Sequence, residues 1–475
     1  MKMSGGHQDG GFAQDLKVSS RPDTMTSMRW GIRLFVLAFM AALVVGVPAA
    51  AAPSPSFTPP VRLGFPHGDD WEPAIAADRS GHVYAAYSHY VGYAGAETGD
   101  PDPSCPTCAS PHTVLQVSSD GGKTWSSPRA LVPSTTRQDD PQIVVDAADG
   151  RTVYAAFMQD NKSSQYVARS DDYGNTWRTT LVEPLQRGTD KDILAARGGH
   201  VYLVYHTQQK IFASVSHDGG KTWSIHNLVG TTNSDLGVSL PSGGAIDSKG
   251  NAYFAWNGAN NPGQAKGAKN LYVTRSTDGG STWKTSLVDV SQPLFSCSCP
   301  GWDYWGSQMA LGVDAKDRIY VLWNAAHTSS GKQRMYLARS DDGAATWSTA
   351  RDVSLAPTGS NNLFPALAAR GDGDVRIAWM DDRNGFDPGA DDPSARWNVY
   401  YRSSTNGGGT WSAEAKLSQY VPGYPYKYAT PKDGFAEPYG DYFELDIDGA
   451  GQTHAIWGEG PSYVGPGNVW YATGR

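Results

Sequence analysis

The sequence predicts an all-β protein in which four-stranded units close into a ring. Three observations predict this fold. An octapeptide with the pattern Ser-x-Asp-x-x-x-Thr-Trp recurs six times, once with Asn in place of Asp. An apolar strand that ends in an aromatic residue recurs seven times. One unmatched strand remains at each end of the repeats, so the two ends can complete a single unit.

Composition and charge exclude several classes of protein. Of 475 residues, 39% are hydrophobic and 11% aromatic, which is enough to build a large core and excludes a disordered chain. Acidic residues (47) outnumber Lys and Arg (39), so we expect no nucleic-acid partner. The low charged fraction of 18% suits short strands and tight turns better than long charged helices.

The N-terminal region predicts export. Arg29 and Arg33 lead into the apolar run 34–47, and the small residues 49–52 follow, which is the pattern of a secretory signal peptide. The run is shorter than the roughly 20 residues that the alternative, a membrane anchor, requires. We therefore divide the chain into a polar extension (1–27), a signal peptide (28–52) and the repeat domain (53–475). An alternative for the extension is that the start codon is mis-assigned and that translation begins after it. We expect cleavage of the signal peptide after Ala50 or Ala52.

Each octapeptide reads as the turn of a β-hairpin. The Asp carboxylate can accept backbone N–H groups across the turn, and the glycines supply the positive φ that the turn needs. The Trp begins the next strand and can pack between neighbouring sheets. We assign a structural role to the six turn residues, which are Asp120, Asp172, Asp218, Asp278, Asp342 and Asn406.

The aromatic-ended strands give the number of units. Seven of them precede turns or follow them at regular intervals: Val83–Tyr87, Val153–Phe157, Val201–Tyr205, Ala252–Trp256, Ile319–Trp323, Val375–Trp379 and Thr453–Trp457. The last unit ends with the strand Asn468–Thr473 and lacks a fourth strand, for which Phe57–Leu63 is the candidate. Pairing these two ends would close the ring and remove the exposed sheet edges.

The octapeptides match the Asp box, and the chain resembles the sialidase (neuraminidase)/BNR-repeat superfamily over residues 56–475. The resemblance implies a β-propeller of four-stranded blades. Sialidases of this group have six blades, whereas the repeats here predict seven, with six as the alternative. It also implies a carbohydrate-active enzyme, although such propellers include lyases, lectin-like proteins and sorting receptors.

The resemblance places the Asp boxes on the face away from the active site, so we expect function on the opposite face. One position, twelve residues before the second residue of each aromatic-ended strand, falls at the mouth of the channel. Its occupants are Glu72, Asp140, Asp190, Pro241, Gln308, Phe364 and Tyr442. An acidic wall facing an aromatic wall suits a sugar. The alternative is that these acids bind backbone N–H groups or face water.

Glycoside cleavage by carboxyl groups needs a pair about 5–10 Å apart, one of them with a raised pKa. Asp70, Glu72, Asp140 and Asp190 can supply such a pair. Sialidases instead use a Tyr nucleophile with a Glu, an Asp acid/base and three arginines that bind the substrate carboxylate.

The sialidase pattern is matched only in part. The last blade carries Glu437, Tyr439 and Tyr442, and three arginines on the expected face, Arg137, Arg187 and Arg383, are candidates for binding substrate. The Arg-Ile-Pro motif of sialidases is absent, because the first strand of the first blade reads Glu-Pro-Ala-Ile over residues 72–75. The arginine triad is therefore not carried over.

Four cysteines, Cys105, Cys108, Cys297 and Cys299, lie in two loops of this face. After export, disulfides are the expected state, and we favour cross-links between the two loops. The alternative is a zinc or copper site made of the four thiolates.

The sequence as a whole predicts a secreted, extracellular and monomeric propeller with no membrane contact after signal cleavage and no cofactor. Its partner is a carbohydrate. The leading function is an exo-acting, sialidase-like glycoside hydrolase, and the alternative is a non-catalytic propeller that binds a glycan or a protein.

Overall fold

The computed structural model describes residues 54–67, 69–91, 100–184, 188–207, 210–228, 239–259, 268–292, 307–328, 331–383, 397–418, 443–459 and 467–475. These ranges contain 28 strands in seven four-stranded antiparallel sheets. They contain no helix, and hence none that is long and apolar enough to cross a membrane. The prediction of seven blades is confirmed and the six-blade alternative is wrong. The proposed extension and signal peptide lie outside the described residues.

A short strand, β1 (Val61–Arg62), precedes the first blade. Blade 1 contains β2 (Asp70–Ala77), β3 (Val83–His89), β4 (His112–Ser118) and β5 (Arg129–Ala130). Blade 2 contains β6 (Gln138–Val145), β7 (Val153–Gln159), β8 (Ser164–Ser170) and β9 (Arg178–Pro184). Blade 3 contains β10 (Thr189–Arg197), β11 (His200–Thr207), β12 (Lys210–Ser216) and β13 (Ser224–Asn227).

Blade 4 contains β14 (Ser239–Ile246), β15 (Ala252–Ala259), β16 (Lys269–Ser276) and β17 (Lys284–Ser291). Blade 5 contains β18 (Met309–Val313), β19 (Ile319–Ala325), β20 (Arg334–Ser340) and β21 (Arg351–Asp352). Blade 6 contains β22 (Asn362–Ala369), β23 (Val375–Asp381), β24 (Asn398–Ser404) and β25 (Ala415–Lys416). Blade 7 contains β26 (Glu444–Ile447), β27 (Thr453–Glu459), β28 (Asn468–Gly474) and the N-terminal β1.

The first strand of each blade lies innermost, and these seven strands contact one another in sequence around the ring. Because consecutive strands are antiparallel, the turns after the first and third strands lie on one face. The connections after the second and fourth strands lie on the other, which we call the mouth face. The Asp boxes, which follow the third strands, are therefore on the face opposite the mouth.

The core is divided among the interfaces between blades. The described residues form seven hydrophobic clusters, and each combines side chains from two adjacent blades. Between blades 1 and 2, for example, Tyr84 and Leu115 pack with Ile143 and Phe157, and all four are buried. This burial removes apolar surface from water at every interface, which is the main force holding the ring together.

The N-terminal strand closes the ring as the sequence predicts. Val61 pairs with Tyr471 in the last strand, and an isolated bridge joins Phe57 to Gly474. The Ser56 amide donates a hydrogen bond of 2.8 Å to the Arg475 carbonyl. Blade 7 is therefore completed by residues from both ends of the chain.

The Asp boxes form a repeated turn. In the first box, Asp120 accepts the backbone N–H of Thr124 at 2.9 Å and its hydroxyl at 2.6 Å, and the Ser118 hydroxyl donates to Asp120 at 2.8 Å. The same three contacts recur at Asp172, Asp218, Asp278 and Asp342. At Asn406 the side-chain amide instead donates to the Thr410 hydroxyl, at 3.0 Å. The hydroxyl can supply either half of this hydrogen bond, so an amide fits the turn as well as a carboxylate.

The cysteine prediction is corrected by the structure. Cys105 forms a disulfide with Cys108, with their Cα atoms 5.3 Å apart, and not with a cysteine of the second loop. A turn brings the two together, since the Cys108 amide donates to the Cys105 carbonyl at 3.1 Å. A four-thiolate zinc or copper site is therefore wrong, because two of its ligands are oxidised. Cys297 and Cys299 lie outside the described residues.

Candidate functional site

Five of the innermost strands begin with a bulge at the mouth face. Register shifts interrupt the pairing of β2, β6, β10, β14 and β22 with their second strands. In four of these strands the first bulged residue has positive φ, and these residues are Glu72 (56°), Asp140 (50°), Lys191 (60°) and Phe364 (50°). A positive φ is strained for a side chain of this size, and such strain is concentrated at functional sites.

These bulges correct one alignment made from the sequence. The repeat spacing places Asp190 at the position of Glu72 and Asp140, but in the structure Lys191 has this place. Asp190 pairs with His206 one residue earlier, at the start of the strand. The mouth position therefore holds acids in blades 1 and 2 and a lysine in blade 3.

Carboxyl groups from three blades meet around Asp140. Its carboxyl lies within hydrogen-bonding range of the carboxyls of Glu72 and Asp190. The backbone N–H of Lys191 donates to Asp140 Oδ2 at 3.2 Å, and the Ser88 hydroxyl donates to Glu72 Oε2 at 2.9 Å. Glu72 and Asp140 are both buried at the mouth-face ends of their strands, and we call this group of carboxyls the acidic cluster.

Two lysines balance the charge of the acidic cluster. Lys162 Nζ donates to Asp190 Oδ1 at 3.1 Å. Burial opposes ionisation of Asp140, but the charges of Lys162 and Lys191 outweigh it and hold the pKa of Asp140 below its usual value. Burial likewise disfavours the charged form of Lys162, yet the surrounding carboxylates raise its pKa well above the ordinary range. Asp140 is therefore ionised and Lys162 is protonated at neutral pH.

The pKa of Asp192, the second bulged residue of blade 3, is shifted in the opposite direction. Gln165 Nε2 donates to its Oδ1 at 2.7 Å, while its Oδ2 is buried without a hydrogen-bond partner. Complete burial, and then the charge of Asp140, raise the pKa of Asp192 well above its usual value. One site thus contains a carboxyl group with a lowered pKa and one with a raised pKa, and such a difference is what separates acid and base roles in enzymes.

Arg137, Asp139 and Tyr90 border the acidic cluster. Arg137 forms a bidentate contact with Asp139, with Nε 3.0 Å from Oδ2. Tyr90 is buried, and its pKa is raised well above the usual value by burial and then by the charges of Glu72 and Asp139. Sequence reasoning missed Tyr90, Lys162 and Lys191. The only signal was their position at the mouth-face ends of strands or in mouth-face loops.

The central channel of the propeller opens at the mouth. It has a volume of about 360 Å³ and is lined by all seven innermost strands. Gln308 and Phe364, both predicted at the mouth, line it together with Lys191, Asn257 and Lys269. A cavity of this volume is in the range of small-ligand sites.

Glu444, in blade 7, is a further channel residue that sequence reasoning missed. Its Oε2 accepts the backbone N–H of Ile75 at 2.8 Å, and the Gln142 amide lies beside its carboxyl. Burial raises the pKa of Glu444 to about 7. A signal was present, because the equivalent positions of five other blades hold small or apolar residues: Ala74, Ile193, Gly243, Ala310 and Ala366.

Arg383 lies in an ion-pair network of blade 6. Its Nε donates to Asp381 at 3.0 Å, it pairs with Glu414, and its guanidinium stacks 3.6 Å from the Tyr400 ring centroid. Burial raises the pKa of Asp381 to about 6. These contacts supply Arg383 with structural partners and do not connect it to the acidic cluster.

The remaining residues that the sequence predicts for the site lie either elsewhere in blade 1 or outside the described residues. Asp70 is buried and binds His89 Nδ1 at 2.6 Å, on the side of blade 1 toward the disulfide loop. Arg187, Glu437, Tyr439 and Tyr442 lie outside the described residues. No group of three or more His, Cys, Asp or Glu side chains in the described parts of the chain is arranged to hold a metal ion.

Comparison with known proteins supports the reading of the repeats. A family model described as "BNR repeat-like domain" matches residues 66–301, which span blades 1–4 and the whole acidic cluster. A sialidase of Bacteroides fragilis (strain YCH46) is 26% identical over 289 residues, covering 51% of this chain and 49% of the relative. The chain thus spans about half the length of this curated relative.

The chain is also similar to solved structures, at low sequence identity. A protein of unknown function from Dyadobacter fermentans DSM 18053 is 14% identical and has a TM-score of 0.49, covering 89% of this chain and all of the other. The NanB sialidase from Streptococcus pneumoniae is 12% identical with a TM-score of 0.44, covering 88% and 70%. The six Asp boxes, the seven four-stranded blades and the match to the BNR repeat-like domain support the placement of the chain in the sialidase/BNR-repeat superfamily of β-propellers.

Proposed function

We propose that the protein is a secreted, sialidase-like glycoside hydrolase that acts from the chain end of an extracellular glycan. The observation that supports this most is the convergence of carboxyl groups from blades 1, 2 and 3 on the mouth face, where the pKa of Asp140 is lowered and that of Asp192 is raised. Similarity to the superfamily supports the fold on which this proposal depends. The activity and the substrate are the parts of the proposal that the experiments below test.

Glu72 and Asp140 form the proposed acid–base unit. Two carboxyls in hydrogen-bonding range share one proton, because both cannot ionise at such a distance. The lysines favour the ionised form of Asp140, and in the proposed reaction Glu72 takes up the shared proton before substrate is cleaved. Glu72 would donate it to the leaving-group oxygen, and Asp140 would stabilise positive charge on the sugar or activate water.

Tyr90 supplies a second route through the same residues. The Glu72–Asp140 contact is closer than the pair spacing of ordinary two-carboxylate glycosidases. The resemblance to sialidases implies a Tyr nucleophile that is assisted by a Glu. Tyr90 lies in the electrostatic range of Glu72, so the Tyr, Glu and Asp types of that mechanism are all present.

Release of sugar from a fluorogenic sialoside and a polysaccharide panel tests the function. We expect turnover by the wild-type chain and a loss of at least about a hundredfold in Asp140→Asn and Glu72→Gln, since general acid–base groups contribute that much. The matched control is Asp278→Asn on the opposite face, because Asn406 shows that an amide fits the box turn. Full activity in both mouth variants would exclude the acidic cluster from the mechanism.

The second candidate is a non-catalytic propeller that binds a glycan or a protein. It is favoured by the internal balance of the acidic cluster, in which Lys162 pairs with Asp190 and the Lys191 amide binds Asp140. Folded protein that releases no sugar yet retains a glycan on an array would support this function instead.

Export is proposed on the N-terminal pattern. We expect protein recovered from the culture medium to begin after Ala50 or Ala52, and N-terminal sequencing measures this. Recovery only from cells, with residues 28–52 intact, would contradict it. The proposed monomer is checked by light scattering on the same sample.

A further inference from the structure

Two carboxylates of β26 cross the seam between blades 7 and 1. Glu444 Oε2 accepts the Ile75 N–H at 2.8 Å, and Asp446 Oδ2 accepts the Ala77 N–H at 2.7 Å. Both side chains line the central channel and retain some exposed surface. They bind backbone donors of the neighbouring innermost strand, which would otherwise face the channel unpaired.

Glu444 and Asp446 differ in how many of their carboxylate oxygens accept backbone hydrogen bonds. Asp446 uses both oxygens, because its Oδ1 also accepts the Ile447 N–H at 2.7 Å. Glu444 uses Oε2 for Ile75, and the Gln142 amide lies beside its carboxyl. Both oxygens of Asp446 therefore accept a backbone N–H, whereas only Oε2 of Glu444 is seen to accept one in the described part of the chain.

Gln142 provides an independent sign of a missing partner. It is 5% exposed, it lines the channel, and its Nε2 is buried without a hydrogen-bond partner. A buried amide donor without a partner costs about 1–3 kcal/mol, so such a group usually binds water or a ligand.

Glu444 and Gln142 are also a polar interruption of an apolar layer. The equivalent positions in blades 1, 3, 4, 5 and 6 hold Ala74, Ile193, Gly243, Ala310 and Ala366. Gln142 follows Asp140 by two residues on β6, so this layer lies one step below the acidic cluster. A group that enters the channel beyond the mouth residues would reach this layer next.

We propose that Glu444 and Gln142 form the inner subsite of the channel and bind one hydroxyl group of an inserted sugar. The hydroxyl oxygen accepts from Gln142 Nε2, and the hydroxyl and the Glu444 carboxyl share a hydrogen bond. This subsite rests on the proposed function for its ligand class. It assigns a specificity-determining role to residues outside the acidic cluster.

The pKa of Glu444 gives the subsite a pH dependence. Burial and then the charge of Asp446 raise it to about 7, whereas the Ile75 N–H and the Gln142 amide lower it. Asp446 is the charged group on its own strand, and Lys191 and Lys269 are the cations among the described residues that line the channel. Below neutrality Glu444 can donate as well as accept, and above it can only accept.

Calorimetric titration of the full chain with free galactose, N-acetylglucosamine and N-acetylneuraminic acid tests the subsite. We expect affinity for at least one sugar to fall as pH rises from about 5.5 to about 8.5, and Glu444→Gln to remove this dependence. Glu444→Leu and Gln142→Leu should each weaken binding about tenfold. Asp446→Asn is the matched control, which should keep the wild-type pH dependence.

The outcomes separate this subsite from the proposed function. Sugar release with unchanged binding by Glu444→Leu and Gln142→Leu would overturn the subsite and leave the hydrolase. Binding with the expected pH dependence but no sugar release would support the subsite and overturn the hydrolase. Folded wild-type protein that binds none of the three sugars would also overturn the subsite.

Discussion

At the scale of single residues, deep burial alone does not decide which carboxyl is charged. Asp140 and Asp192 are both buried and both belong to bulges, but only at Asp140 do the charges of Lys162 and Lys191 outweigh the effect of burial. Asp192 contacts Gln165 and is near the charge of Asp140. The difference between the two pKa values therefore comes from neighbours that blades 2 and 3 contribute.

Glu444 gives a prediction for stability against pH. Its folded pKa of about 7 exceeds the unfolded value of about 4.5, so the folded state binds more protons between these values. Its contribution is fully present below about pH 4.5 and is lost as pH rises through about 7. We expect Glu444→Gln to raise the free energy of unfolding at pH 8 by up to about 3 kcal/mol.

Urea denaturation of Glu444→Gln and wild type at about pH 5 and about pH 8 measures this difference. Wild-type and variant stabilities should be similar at the lower pH and diverge at the higher one. An equal difference at both pH values would show that ionisation of Glu444 is not its cause.

The sequence predicts part of the candidate site at this scale. Glu72 and Asp140 are found from the repeat spacing, because every blade begins in the same way. Lys191 is missed because the bulge in blade 3 shifts the register by one residue. Tyr90 and Lys162 are missed because they reach the acidic cluster from other loops, and spacing within one blade carries no information about such approach.

At the scale of elements, the Asp-box turn makes stability depend on acid pH. Hydrogen bonds from the Thr side chain and backbone lower the pKa of Asp172 and of Asp278 to about 2, and the pKa values of Asp120, Asp218 and Asp342 are lowered too. For a lowered carboxyl pKa, the stabilisation is present above the unfolded pKa of about 3.9 and is lost as pH falls through the folded value.

We therefore expect the melting temperature to fall steeply below about pH 4, with five boxes taking up protons. Each replacement of a box aspartate by Asn, the residue already present at position 406, should make the fall of the melting temperature at acid pH less steep. Thermal unfolding of Asp172→Asn, Asp278→Asn and the double variant across the acid range measures it. Parallel acid limbs for all variants would contradict the assignment to the boxes.

The disulfide between Cys105 and Cys108 closes a short loop, so we expect it to add little to the free energy of unfolding. Closing four residues restricts the unfolded chain by about 2 kcal/mol in the chain-entropy estimate. We expect replacement of Cys105 and Cys108 by Ser to cost no more than this in urea denaturation. Both samples should carry Ser at positions 297 and 299, so that only this bond differs.

The strands are well predicted and the cysteine pairing is not, for one physical reason. Strand patterns repeat seven times and reinforce one another, whereas the disulfide depends on a single turn at residues 105–108. A tight turn brings Cys105 and Cys108 together, so they pair without a cysteine from the loop before blade 5. The turn occurs in one place only and is not part of the repeats, so the repeat pattern does not predict it.

At the scale of the whole molecule, the ring depends on contact between its two chain ends. Gly474 lies against the Ser56 carbonyl and the Phe57 ring, and an added Cβ would overlap both. We expect Gly474→Val to weaken closure by about 1–3 kcal/mol, the usual cost of overpacking. Gly359→Val is the control, because nothing lies within 4 Å of a Cβ there.

Thermal unfolding combined with hydrogen exchange measures the effect of the closure variant. Gly474→Val should lower the melting temperature and speed exchange in residues 468–474, while Gly359→Val should change neither. Equal exchange in both variants would mean that the N-terminal strand does not hold the last blade.

Ring closure also constrains the order in which this protein can fold. Val61 pairs with Tyr471, so a strand made before blades 1–6 waits for one made after them. The entropy lost in joining such distant segments grows only with the logarithm of their separation, but the wait itself is set by synthesis. Blades 1–6 can assemble as the chain emerges, and the ring is complete only when the N-terminal strand joins blade 7.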